Sequence, residues 1–175
     1  MAWLRAALMV ALVVTSVLLE LVVLPWLHLP GATPDVVTVT VIALGMVGGP
    51  VRGALAGFGA GLLLDLVPPS VGLVGVTAVV LVAVGYAAGL LGQEGARAPL
   101  VQVGIVGLLS GAAVLGQALV GTVVGYDRVA WDRVPLLVLT QVVYALVLAA
   151  FVVPLVTWLW RKVTPSGPRY DLVRP

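Results

Sequence analysis

Between its prolines, glycines and charged residues the chain runs as six apolar stretches, at about residues 6–27, 35–49, 53–67, 71–92, 100–123 and 135–160. Nothing else constrains the fold as strongly. At about 1.5 Å of rise per residue, a helical run of about 20 apolar residues crosses a hydrocarbon core of about 30 Å. The first stretch and the last three reach that length. The second and third, 15 residues each, predict either two thin or tilted spans or one re-entrant hairpin around Pro50. Two spans are favoured, because no water-lined cavity is evident to shelter a hairpin. The expected fold is an all-α integral membrane protein with six transmembrane helices over residues 1–160. Charged residues make up 9% of the 175, against about a quarter in a soluble domain, so no second, soluble domain is expected. Residues 161–175, ending "TPSGPRYDLVRP", predict a disordered cytoplasmic tail.

The first apolar run is longer than the core of about 7–15 residues in a signal peptide, and no A-x-A-like cleavage site follows it, so it is expected to be a retained span. Basic residues set the orientation. With the N-terminus inside, Arg5, Arg52, Arg97, Arg161, Lys162, Arg169 and Arg174 are cytoplasmic, and only Arg128 and Arg133 lie outside. Both termini are then cytoplasmic. Trp3, Trp26, Trp131, Trp158 and Trp160 fall near span ends, where indoles favour the headgroup layer.

Glycine supplies the packing signal. Gly45, Gly49, Gly53, Gly57 and Gly61 are spaced by four, so Gly53, Gly57 and Gly61 form one smooth stripe that lets two backbones approach closely. The neighbour is either another helix of this chain or a helix of a different protein. The fifth span carries Gly107, Gly111 and Gly121, with Ser110 and Gln117 nearby, and Pro154 predicts a kink in the sixth. Asp65, four residues beyond Gly61, shares the stripe's protein-facing side and lies at the outer end of its span. Glu20, Asp35, Gln117, Gln141 and Tyr144 also lie in the outer half. Those five either line one outward-facing pocket or make separate interhelical hydrogen bonds, each worth about 0.6–2 kcal/mol.

The sequence contains no P-loop, G-x-S-x-G, H-E-x-x-H or C-x-x-C pattern. It has no cysteine and a single histidine, His28, beside Pro30. No metal, cofactor or catalytic residue is expected. Glu20 and Asp65 lack the flanking motif of an aspartyl protease pair, and no chain of titratable groups accompanies Glu20 as proton transport would require.

Pro34-Asp35 opening a short span, "RGALAGFGAGLLLD" at 52–65, a brief Pro/Gly turn and "GLVGVTAVVLVAVGYAAGLLG" at 72–92 together resemble the rod shape-determining protein MreD family. The resemblance implies a non-enzymatic component of the bacterial elongation machinery in the cytoplasmic (inner) membrane. Its fold would be akin to the membrane subunits of energy-coupling-factor transporters. Implied partners are an MreC-like bitopic protein, and in the same complex a RodA-like glycosyltransferase, a penicillin-binding transpeptidase and MreB filaments; no nucleic acid is implied. The family-like positions are Pro34, Asp35, Gly53, Gly57, Phe58, Gly61 and Asp65. The stripe is expected to make a close contact, inside the bundle or with the MreC-like span, and Asp65 to cap an adjacent outer turn or accept a hydrogen bond there. A partner would bind through spans, the 124–134 loop or the tail.

The rival from another class is a substrate-binding membrane subunit of an energy-coupling-factor vitamin transporter. Ala7-x-x-x-Ala11 resembles the small-residue spacing by which such subunits dock their coupling partner. The aromatic residues Phe58, Tyr86, Tyr144 and Phe151 are too few and scattered to form the platforms that vitamin binding calls for.

Overall fold

A computed structural model describes residues 2–27, 34–67, 74–95, 98–125 and 132–164. Among them run six α-helices: α1 (Ala2–Leu18), α2 (Val36–Gly48), α3 (Pro50–Leu66), α4 (Val76–Gly95), α5 (Pro99–Val123) and α6 (Val134–Val163). Past Leu18 the first helix widens into a π turn, Leu19–Val23, and tightens into a 3-10 turn, Leu24–Leu27. His28, residues 68–73 where a turn is expected, residues 126–131 with Trp131, and the expected tail from 165 lie outside the described residues.

Three helices are long and apolar enough to cross a membrane, Trp3–Val23, Pro99–Val123 and Val134–Val163. Large apolar side chains such as Val10, Leu108, Leu139 and Phe151 are exposed along them. A water-soluble surface rarely carries so broad an apolar coat; this is a membrane protein. α2, at 13 residues, is shorter. α4 runs for 20 residues and opens at Val76 rather than near 71, just after Gly75, which takes a positive φ of 106°.

The third helix departs the other way, opening at Pro50 rather than 53. Proline suits the first helical position, where its missing N–H would be unpaired anyway. Gly49, at φ 89°, is the entire link between α2 and α3. Two separate helices thus meet at Pro50. The sixth helix passes through Pro154 without ending and continues to Val163, so the first residues of the expected tail are helical.

The 13-residue α2 is the hub. It touches α1, α3, α4, α5 and α6, and every residue from Val36 to Gly45 is buried. Its opening "VVTVTVI" is wholly β-branched, a composition that elsewhere favours strands. Away from water a helix satisfies its backbone within one segment, and Asp35 caps the start.

Candidate functional site

Two constellations collect the residues singled out by sequence. The first is a seam of backbone contacts among α2, α3 and α4. A Cβ built on Gly53 would strike the carbonyl oxygen of Gly85, and one on Gly85 would strike that of Gly53. Gly45 joins the same crossing, its Cβ position 2.6 Å from the Gly85 oxygen. Further along, Gly57 abuts the Leu81 carbonyl and Gly61 the Ala78 Cα. The stripe therefore faces α4 of its own chain. Phe58 does not belong to this contact: one residue on from Gly57 it is turned about 100° around the helix and is 52% exposed.

The other half of the seam escaped the sequence reading. Gly85, Gly89 and Gly92 lie along α4, with Gly89 against Pro50 and Gly92 with its Cβ position 2.6 Å from the Met46 Cα. Their spacing in "GYAAGLLG" was the available signal, a second small-residue face able to meet the first.

The second constellation is acidic. Asp65, 7% exposed, accepts hydrogen bonds through Oδ2 from the backbone N–H of Gly75 at 2.7 Å and of Ala78 at 3.3 Å. These groups begin α4, where N–H donors have no partner within the helix and the dipole favours negative charge. Asp65 thus caps a helix ten residues away in sequence. Asp35 does the same locally for α2. Its Oδ1 accepts from Thr38 N–H at 2.6 Å, and the Thr38 hydroxyl donates to Oδ2. Glu20 reaches α2 from the π turn, accepting from Val37 N–H at 2.9 Å, and lies within hydrogen-bonding reach of the Asp35 carboxyl. A π turn shifts the register of the side chains around it, and this one carries Glu20.

Two of the five residues of the outer-half group come together. Glu20 and Asp35 meet at the start of α2, Gln141 is buried at 3% exposure, Tyr144 is half-buried and Gln117 is exposed on α5. Clefts of about 420, 250 and 490 Å³ occur in the structure, and none is lined by any of the five. Among the described residues no group of three or more His, Cys, Asp or Glu side chains could hold a metal ion.

The opposite end of the bundle is basic. Arg52 donates from Nη1 to the Gly48 carbonyl at 3.0 Å and lies 5.8 Å from the Trp160 ring centroid. Trp160 is only 7% exposed, so it packs inside the bundle at this end. The neighbouring tryptophan, Trp158, is exposed and carries the Lys162 Nζ 3.8 Å from its ring centroid.

No family model matches the chain, and no curated protein matches it significantly.

Proposed function

We propose that this chain is a non-catalytic scaffold of a bacterial cell-elongation complex in the cytoplasmic membrane, of the MreD kind, with six spans and both termini cytoplasmic. It would partner an MreC-like bitopic protein and, through it, a RodA-like glycosyltransferase and a penicillin-binding transpeptidase. The observation that carries this reading is what the acids do. Glu20, Asp35 and Asp65 are all turned onto backbone N–H groups at helix starts. They hold the bundle's geometry, and none of the three lines a cleft described above.

Two further features support it. The motif-bearing stretch 52–65 builds a close-packed core of α2, α3 and α4, as a rigid platform requires. The flanks of α1, α5 and α6 remain apolar and exposed, available to a neighbour's spans. Arg5, Arg52, Arg161 and Lys162 share one end and the capping acids the other, which favours the cytoplasmic placement of the basic end.

One observation favours the vitamin-transporter reading: Ala7 and Ala11 are both exposed on α1, free to face a coupling subunit. That none of the three clefts is lined by the outer polar group counts against it.

A pull-down of the tagged protein from its native membranes in mild detergent, read by mass spectrometry, separates the two. The scaffold reading expects a bitopic coiled-coil protein together with peptidoglycan synthases. Recovery of a coupling subunit with ATPases would replace it with the transporter reading. Recovery of neither would sink both.

A further inference from the structure

A groove of about 420 Å³ runs between α1 and α3, with Arg5 and Arg52 at one end. Beyond the arginines its walls are apolar: Met9, Val10 and Val14 on one side, Leu55 and Leu63 on the other. Gly59 also lines it, and a Cβ there would have no neighbour within 4 Å, so the trough is open at this point.

The arginine end is short of negative charge. The Arg5 Nε is buried with no hydrogen-bond partner, an arrangement that costs about 1–3 kcal/mol or more for a charged group. Both arginines sit in or next to the first turn of their helices, and neither first turn contains an acid. The dipole of a helix start is positive, so each arginine adds charge where its helix already wants an anion.

Length identifies the other half of the ligand. From Arg5 to Val14, α1 rises about 14 Å, and from Arg52 to Leu63, α3 rises about 16 Å. Each is close to half of a hydrocarbon core of about 30 Å, the depth of one leaflet. A narrow trough one leaflet deep with a cationic mouth matches a lipid with an anionic head.

From this geometry we infer that the α1–α3 groove holds one anionic phospholipid. Its phosphate lies between Arg5 and Arg52, and one acyl chain follows the trough to the bilayer midplane. Arg52 is already held in place by the Gly48 carbonyl and Trp160, so its guanidinium is preorganised for a phosphate. Basic pockets between spans are a general means of recognising anionic lipid heads. The bound lipid would cover the seam where α1 meets the α2–α4 core.

Thermal unfolding of the purified full-length protein in detergent, titrated with phosphatidylglycerol or with phosphatidylcholine of the same chains, tests this. The anionic lipid should bind roughly tenfold tighter or more and raise the melting temperature. Arg5→Gln with Arg52→Gln should abolish that preference. Gly59→Leu, which keeps both arginines and enters open space, should weaken binding of either lipid by blocking the trough. Arg161→Gln should leave it intact, because Arg161 lines the other two clefts. Equal loss in Arg161→Gln would mean a diffuse basic surface and overturn the proposal. So would an equal shift from inorganic phosphate alone, since the trough would then be idle. In native membranes a photocrosslinking residue at Leu55 should acquire a phospholipid mass; capture of a polypeptide would make the groove a helix-docking site instead.

Discussion

Two glycine-lined seams hold this bundle together, and they work differently. Between α3 and α4, Gly53, Gly57 and Gly61 face carbonyl oxygens and a Cα, so backbone lies on backbone. Between α5 and α6, Gly107 and Gly111 face side chains. A Cβ at Gly107 would lie 2.9 Å from the Leu146 Cδ2, and one at Gly111 3.1 Å from the Val142 Cγ2. In the first seam an added methyl meets atoms that move only with a helix. In the second it meets the ends of side chains, which can change rotamer. The same four-residue spacing therefore marks an obligatory contact in one place and a tolerant one in the other. What decides is the residue across the seam: Gly85 and Ala78 admit close approach, whereas Leu146 and Val142 hold the helices apart.

Substitutions grade this difference. Gly57→Ala should have the largest effect, a loss of about 3 kcal/mol or more from overpacking against the Leu81 backbone, measured by reversible unfolding in mixed micelles. Gly111→Ala should stay within about 1 kcal/mol of wild type, since the gain from replacing a helical glycine offsets a small shift of Val142. Should it destabilise as much as Gly57→Ala, the distinction between the seams is wrong. Gly59→Ala, on the same helix as Gly57 but facing open space, should be mildly stabilising by up to about 1 kcal/mol in lipid-free micelles. A loss there would mean that α3 resents any added bulk, and the effect at Gly57 would no longer report the seam.

Much of the local structure was legible. Pro34-Asp35 before an apolar run is a helix start by composition alone, and Asp35 does cap Thr38. Asp65 at the end of the stripe pointed to a cap on an adjacent turn, and it holds Gly75 and Ala78 N–H. Pro50 next to Gly49 was an unused signal for the exact start of α3. The central place of α2 was not legible. Its apolar side chains run all the way round, and a valine facing lipid has the same transfer preference as one facing a neighbouring helix. Hydropathy consequently cannot tell the most buried element from a peripheral one. Burial within the outer-half polar group was not legible for a related reason. Depth along a span follows from counting residues, but only packing shows that Gln117 is exposed and Gln141 buried.

Sequence alone determined that this is a helical membrane protein, where most of its helices lie and that its small-residue stripe must meet a close neighbour. Those properties follow from local rules, because a backbone removed from water must close its own hydrogen bonds. Tertiary structure decided which helix the stripe meets, which acid caps which helix start, and that two arginines far apart in sequence open onto one groove. These are relations between segments, and within an apolar bundle they are set by the fit of surfaces, which no single segment contains.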